Sequence, residues 1–431
     1  MRAARPMNFR LIKQFGLYSV FFLSFIFIYK IYITDLYGYM GYVDELSVSN
    51  FPLSFMAIAF CIVLADRPQK PSGLFLHFAL ATIVLPSMVL YCAASLPFYY
   101  YFTVVSGFAV MAVASRWVTM PRVVIFDRVN VDWLRIFVVI SVSSVAAILM
   151  LGGARYLNFD LSAVYDFRED AAKNLPAIFH YIDPVVGKVV IPFGMVFSVL
   201  ARRWIYALVF TGCSVLLFSL TANKALLFYP AIVFIVYRIS ESTAVIKYFL
   251  LALIFGLVIA GVDFYYFDVN SGTPWFGNLF VRRALLMPSM LNWFYLDWFS
   301  RNDFYYWADS KLSFGLVNAP NSLRFVNLIG SEYLGGENTS ANVGWLGSGY
   351  ANAGLMGVYL YSFLTGLIFS HLNSYAKKMG SKLIVSLFAV PVLTILTSTD
   401  LLTIFLTHGF LFALIVIGLV KPTTDKRPMA T

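Results

Sequence analysis

The sequence predicts an all-α, polytopic membrane protein with about twelve transmembrane helices. Of its 431 residues, 60% are hydrophobic and only 12% are charged, whereas a soluble domain carries roughly twice that charged fraction. Apolar runs recur along the whole chain, and most approach the roughly 20 residues that a helix needs to cross a bilayer. Because lipid offers the backbone no hydrogen-bond partners, these runs must form helices.

The apolar runs define the predicted spans. The first, residues 15–33, follows a basic N-terminal stretch and is too long for a cleaved signal peptide, so we interpret it as a membrane-spanning helix. The others are residues 51–65, 74–94, 97–115, 133–151, 188–201, 204–220, 225–237, 246–262, 350–370, 382–397 and 401–420.

The positions of Lys and Arg predict the orientation of these spans. With the N-terminus inside, the inner segments hold 20 of the 31 Lys and Arg residues but only 5 of the 21 Asp and Glu residues. Both termini are therefore predicted to be cytoplasmic. The net charge of +10 is then explained by the anionic inner leaflet, without a nucleic-acid partner.

We expect one integral membrane domain, residues 1–431, with two larger extracytoplasmic loops, residues 152–187 and 263–349. Long loops on a rigid scaffold often carry function. The chain has no Walker A, HExxH or GxSxG motif and no Cys/His cluster, so we predict neither a metal nor a cofactor. The alternative is a metal-binding carboxylate pair at Asp44 and Glu45 in the first outer turn. The cysteines all lie in apolar runs and are expected to be inert buried thiols. They are Cys61, Cys92 and Cys213.

Four side chains in the predicted loops are candidates for proton transfer to or from a substrate. They are Asp166, Glu169, His180 and Glu337. The alternative is a solvated loop for the acids of the first loop and a structural role for the histidine.

Five basic residues are candidates for binding an anion such as a phosphate, since arginine forms bidentate hydrogen bonds to phosphate oxygens. They are Arg168 in DFRED, Lys224 in TANKALL, the pair Arg282 and Arg283, and Arg324. Lys224 stands at a predicted helix start, where the helix N-terminus also attracts anions. Its alternative role is to reach the membrane surface with its ammonium group.

The arginine pair is predicted to open an amphipathic helix rich in aromatic residues, RRALLMPSMLNWFYLDWF. Aromatic rings can pack against the C–H faces of sugars, and Asn, Asp or Arg can bond to sugar hydroxyls. The glycan-binding candidates are Trp293, Tyr295, Trp298, Arg301 and Asn338. The alternative for each ring is an interfacial aromatic belt.

A glycine-rich stretch leads into the span at residues 350–370. We expect residues 344–349 to form an irregular turn where the chain re-enters the membrane. Gly354 and Gly357 are expected to allow close helix packing. Asp400 is interpreted as a turn residue between the last two spans.

Four stretches, together with the span number and orientation, resemble the Wzy-type oligosaccharide repeat-unit polymerases. They are DFRED, TANKALL, RRALLMPSMLNWFYLDWF and ENTSANVGWLGSGYANAGLMGVYLYSFLTG. Arg324 is followed eleven positions later by Gly335, a spacing described for such enzymes. In the first loop, by contrast, Asp166 and Phe179 stand eleven positions after Arg155 and Arg168.

The resemblance implies a GT-C-type glycosyltransferase of the bacterial inner membrane with a periplasmic active site. It would join oligosaccharide repeat units linked to undecaprenyl pyrophosphate into O-antigen or a related polysaccharide, without a metal or nucleotide sugar. The basic candidates would bind the pyrophosphate. A chain-length regulator is an expected partner, besides the lipid-linked glycan and membrane lipid.

Two other classes share this topology. An O-antigen ligase uses a similar donor but is expected to have a histidine in its large outer loop, and residues 263–349 contain none. A flippase or transporter usually has short outer loops and charged residues inside its helices, unlike this chain. A structural scaffold is the remaining alternative.

Overall fold

The computed structural model describes residues 7–67, 69–123, 132–157, 176, 179–221, 223, 225–240, 244–269, 274–310, 313–336 and 339–420. Helices and their connections make up these residues, and none of them is assigned to a β-strand. The predicted all-α class is confirmed over this part of the chain.

The α-helices are α1 (Met7–Ile28), α2 (Thr34–Tyr37), α3 (Phe51–Ala65), α4 (Pro71–Ala79), α5 (Leu85–Ala93), α6 (Phe98–Trp117), α7 (Trp133–Met150), α8 (Phe179–Val185), α9 (Ile191–Leu200), α10 (Trp204–Thr221), α11 (Ala225–Ile239), α12 (Val245–Val269), α13 (Met287–Phe299), α14 (Phe325–Leu334), α15 (Trp345–Met379), α16 (Ser381–Thr397), α17 (Leu401–Thr407) and α18 (Phe410–Leu419). Shorter π-helical segments are Tyr29–Ile33, Leu80–Val84, Val186–Val190 and Asn278–Leu286. The 3₁₀ turns are Gly38–Met40, Val48–Asn50 and Gly153–Tyr156.

Nine helical stretches of the described chain are long and apolar enough to cross a membrane. Three further apolar helices are shorter: α11, α16 and α18. These helices fit a multi-pass membrane protein, and every predicted span coincides with one of them. The last predicted span is divided, since α17 and α18 are separated at Gly409, which has a φ of 79°. The number twelve stays a prediction.

The first span begins earlier than predicted. Helix α1 starts at Met7 and therefore includes Arg10 and Lys13. Both residues are tolerated there because long basic side chains can leave an apolar helix surface and reach water. Arg10 pairs with Asp66 at the end of α3, with 2.6 Å between Nη2 and Oδ1. The start of α1 and the end of α3 therefore lie on the same side, as the alternating orientation requires.

The chain divides into two compact units. The first is formed from the described residues of Met1–Thr119, Ser242–Ser370 and Leu393–Leu402. The second is formed from those of Met120–Glu241, His371–Val392 and Thr403–Thr431. The arginine pair and the aromatic helix α13 belong to the first unit.

Helix α13 is packed into the first unit and is not a free surface segment. The Ser289 hydroxyl donates to the Ile83 carbonyl at 3.1 Å, and the Tyr100 hydroxyl donates to the Ser289 carbonyl at 2.8 Å. Ile83 lies in the middle of the apolar stretch Pro71–Ala93. A helix is therefore confirmed at this place, and the first turn of α13 is fixed against a membrane-spanning segment.

Helix α15 is broken near its start. Ala353 and Gly354 have non-helical backbone angles, and Gly354 has φ 57° and ψ −142°, a region essentially restricted to glycine. Residues 345–352 form a separate helical piece that packs back against the rest of α15. A Cβ on Gly357 would lie only 2.0 Å from the Gly349 carbonyl oxygen, so the two pieces are in contact at these glycines. The irregular point thus lies at residues 353–354, and the predicted turn at residues 344–349 is wrong from Trp345 onward.

Candidate functional site

A buried arginine lies in the π-helical segment Asn278–Leu286, directly before α13. The Arg282 side chain is 6% exposed. Its Nε donates to Asn278 Oδ1 at 2.6 Å, and its Nη1 lies 3.2 Å from Met40 Sδ. The guanidinium also lies over the Tyr37 ring, 4.7 Å from the centroid. These partners are all neutral.

None of the ion pairs found among the described residues includes Arg282. A buried charge is normally paired, because removing it from water is costly. Arg283 is the next residue in the chain and is exposed. Two positive charges therefore lie side by side. The arrangement leaves a buried positive charge without an acidic partner among the described residues.

A second buried polar group lies close to this guanidinium. Tyr42 is 1% exposed, and its hydroxyl has no hydrogen-bond partner among the described residues. Burial raises the pKa of this hydroxyl, and the positive charge of Arg282 opposes the rise. An unsatisfied hydroxyl beside a buried cation provides a donor that an anion can use. Tyr42 could not be identified from the sequence, because it lies in the turn after α2 and comes close to Arg282 only in the folded chain.

The aromatic candidates on α13 separate into two groups. Trp293 is half-buried and faces Tyr99, with 5.8 Å between ring centroids, and Trp298 is also half-buried. Tyr295 is fully buried, and its hydroxyl donates to the Ala341 carbonyl at 2.8 Å. Tyr295 is thus a core residue without a surface for a glycan, and we remove it from the candidate site.

Polar groups continue this surface beyond the end of α13. Arg301 is exposed and donates through Nη2 to Asp297. The Tyr333 hydroxyl donates to the same carboxylate at 2.5 Å, and its ring stacks on Phe294 at 4.4 Å. Arg301 and Trp293 therefore remain on an accessible polar and aromatic surface, as a glycan-binding role requires.

A separate acidic centre lies past the C-terminal end of α13. Asp309 Oδ2 accepts a hydrogen bond from the Phe325 N–H at 2.7 Å. Burial raises the pKa of the Asp309 carboxyl, and this hydrogen bond and the positive charge of Arg324 oppose the rise. Asp400 adds a smaller repulsion that raises it further. Such a carboxyl can exchange a proton nearer to neutral pH than an ordinary one.

Asp400 is more than a turn residue. Its Oδ1 accepts from the Tyr361 hydroxyl at 2.9 Å, and that hydroxyl accepts from Trp307 Nε1 at 3.0 Å. Trp307 and Tyr306 have φ angles of 63° and 44°, strained values that cluster at functional sites. The interpretation of Asp400 from sequence was therefore incomplete, since its partners are distant in the chain.

Comparison of the chain with known protein families, with curated proteins and with solved structures gave no match.

The spacing between Arg324 and Gly335 has a local structural reason. Arg324 immediately precedes α14, and Gly335 immediately follows it with a left-handed φ of 75°. Left-handed glycine is a common end to a helix. The two residues are therefore the flanking positions of a ten-residue helix, and Arg324 itself is exposed near Asp309.

Several candidates lie outside the described residues. They are Asp166, Arg168, Glu169, Lys224, Glu337 and Asn338. Of His180 only the backbone is described, in α8. Their predicted roles stay predictions.

No group of three metal-binding side chains occurs in the part of the chain that was placed. The cysteines are buried and free, as expected for inert thiols.

Proposed function

We propose that the protein is a membrane polymerase of the Wzy type, which joins undecaprenyl-pyrophosphate-linked oligosaccharide repeat units at the periplasmic face of the bacterial inner membrane. The observation that carries the proposal is the buried Arg282 guanidinium, whose partners among the described residues are neutral. A lipid pyrophosphate supplies an anion at a membrane boundary. The sequence resemblance supplies the class of reaction.

The reaction transfers a glycan from a donor to an acceptor. The bond between the donor sugar C1 and the pyrophosphate oxygen breaks, and the oxygen keeps the electron pair. A new bond forms between C1 and a hydroxyl oxygen of the acceptor glycan, and the hydroxyl proton passes to a base. Fixed cations stabilise the charge that develops on the departing pyrophosphate.

The two centres in the first unit suit two substrates. Arg282 lies before the start of α13, whereas Asp309 and Arg324 follow α13 in the chain and lie near Tyr295 in its second half. Helix α13 has 13 residues and is therefore about 20 Å long. An acceptor reacts at the end of its glycan remote from its own pyrophosphate, so its anion and its reacting hydroxyl are separated by the length of the repeat unit.

This separation assigns a role to each centre within the proposal. Arg282, with Arg283 and Tyr42, holds the acceptor pyrophosphate. Arg324 holds the donor pyrophosphate, and Asp309 is the base beside it. Along α13 the acceptor glycan lies on Trp293 and Trp298, then reaches Arg301. Lys224 and Arg168 stay further candidates for pyrophosphate binding, and Asp166, Glu169, His180 and Glu337 for the base.

The test is the surface glycan of a strain that lacks the gene, analysed on a gel. A ladder that collapses to a single repeat unit on lipid A core supports a polymerase, since flipping and ligation must still operate. Complete loss of glycan with accumulation of lipid-linked polymer identifies a ligase instead. Loss of lipid-linked repeat units from the outer leaflet identifies a flippase, and an unchanged ladder rejects a role in O-antigen assembly.

A further inference from the structure

A cavity of about 750 Å³ lies at the opposite end of α1 from the arginine site, between the start of α1 and the start of α12 in the first unit. Its size is within the range of small-molecule sites. Arg10, Lys13, Gln14 and Gly16 line it from α1, and Lys247 lines it from α12. Both helices begin here, so the cavity lies at one membrane boundary.

The rim of the cavity is positively charged. Lys13 and Lys247 are exposed, and neither takes part in an ion pair found among the described residues. The Lys13 ammonium group lies 4.3 Å from the centroid of the Phe9 ring. Arg10 is held at the rim by Asp66. Two lysines are thus left to attract an anion.

The wall below the rim combines one polar group with an apolar channel. Gln14 is 7% exposed, and its Oε1 accepts no hydrogen bond within the described chain. A buried acceptor of this kind requires a donor. Leu17 and Val20 continue the wall along α1. A Cβ on Gly16 would meet no atom within 4 Å, which leaves the channel open.

We propose that this cavity binds one anionic glycerophospholipid, with phosphatidylglycerol as the best fit. Lys13 and Lys247 face the phosphate, a hydroxyl of the glycerol headgroup donates to Gln14 Oε1, and an acyl chain follows Gly16 and Val20. The lipid comes from the leaflet at which α1 begins, which is the cytoplasmic leaflet in the predicted orientation. This site does not depend on the proposed polymerase activity.

Native mass spectrometry of the purified full-length protein tests the proposal, with palmitoyl-oleoyl phosphatidylglycerol or phosphatidylcholine titrated into the detergent solution. The wild type should retain one phosphatidylglycerol in preference to phosphatidylcholine. Each lysine near an anionic lipid contributes about a fivefold change in affinity, so the double variant Lys13→Gln and Lys247→Gln should bind phosphatidylglycerol roughly 25-fold more weakly. Gly16→Leu should lose the bound lipid because its side chain fills the channel.

Matched controls come from the second unit. Lys377 and Lys378 are exposed at the end of α15, and Gly212 lies in α10 with no atom near its Cβ position. Lys377→Gln with Lys378→Gln, and Gly212→Leu, should leave lipid binding unchanged. Equal binding of the two lipids, or equal loss in the controls, overturns the proposal. If Gly16→Leu does not fold, the exposed lysine variant decides the matter.

Discussion

Replacement of Arg282 by methionine separates a ligand-binding arginine from a structural one. Methionine is unbranched and apolar, and it fits a buried position. If the guanidinium exists to bind an anion, its removal should impair substrate binding while the folded protein keeps its stability. If it is held by an acidic partner, its removal should unfold the protein.

The contacts of Arg282 set the expected magnitudes. Methionine removes the hydrogen bond to Asn278 Oδ1 and the contact with the Tyr37 ring. These contribute about 1.5–3 kcal/mol and about 0.5–2 kcal/mol. The substitution also removes the cost of burying a charge, which is several kcal/mol. The two effects oppose each other, so the free energy of unfolding should be unchanged or increased.

The effect on activity follows from the same hydrogen-bond strength. In the proposed function Arg282 binds the acceptor pyrophosphate, whose charge does not change during the reaction. Loss of one charge-assisted hydrogen bond, about 1.5–3 kcal/mol, weakens acceptor binding by roughly ten- to a hundredfold. The substrate concentration at half-maximal rate should rise by this factor, with little change in kcat. Arg324→Met should instead lower kcat, because it faces the departing group.

Activity is assayed with purified protein and a lipid-linked repeat unit, and the polymer ladder is measured on gels. Stability is measured as the apparent Tm of the same protein in detergent. Arg135→Met is the control, since Arg135 is exposed and pairs with Asp132 at 3.1 Å, a pair that contributes at most about 1 kcal/mol. A destabilisation of about 3–5 kcal/mol in Arg282→Met, the size expected for a broken buried ion pair, would refute the anion-site reasoning. An unchanged ladder at low substrate would refute it as well.

Two further predictions concern the broken helix and the acidic centre. Gly354→Ala should lower the apparent Tm by an amount equivalent to about 1–3 kcal/mol. The backbone angles of Gly354 exclude a side chain, and the new Cβ would lie 2.9 Å from the Phe304 ring. The control Gly16→Ala, in a helix with open space around it, should leave Tm unchanged or raise it slightly. Burial raises the pKa of Asp309, so the ionised carboxylate is less favourable in the folded protein than in the unfolded one. The free energy of unfolding should therefore fall as pH rises from the ordinary carboxyl pKa through the raised one. Asp309→Asn should abolish that fall in a pH series of Tm values, together with polymerisation if Asp309 is the base.

The membrane helices could be predicted from the sequence because a segment that crosses lipid must be both apolar and helical. Apolar runs such as 51–65 gave the bounds of α3 directly. The first span was placed too short because Arg10 and Lys13 interrupt the apolar pattern, although both can reach water from within a helix. The break at Gly354 could not be located, since several glycines in the same stretch are equally compatible with a turn.

The candidate site could be predicted only in part, for a different reason. Arg282 is a candidate from the sequence because it belongs to an adjacent arginine pair that precedes an aromatic-rich stretch. Asp309 and Tyr361 were missed because a single acid in a loop, or a tyrosine in a span, acquires a role only through distant partners. Tyr361 meets Asp400 across 39 positions of the chain, and no local pattern records such a contact.

Three of the four π-helical segments in the described chain have a common origin in proline. Of the four in the described chain, three are followed by an α-helix with proline at its second residue: Pro86, Pro192 and Pro288. Proline lacks an N–H and its ring collides with the carbonyl four residues earlier. In each case that carbonyl lies inside the π-helical segment, whose wider turn relieves the collision. Pro288 thereby explains why the arginine pair lies on a π-helical turn.

The rigidity of α13 has a consequence for the proposed reaction. The first half of the helix is fixed by the Ser289 contacts and by the Asn292 amide oxygen, which accepts from the Gly347 N–H at 2.9 Å. The position of this half of α13 is therefore fixed relative to the segments that it contacts. If Arg282 holds the acceptor pyrophosphate and Asp309 activates the far end of the glycan, then only a repeat unit of matching length brings its hydroxyl to the base. Selection of a complete repeat unit would follow from a fixed distance, without recognition of each sugar.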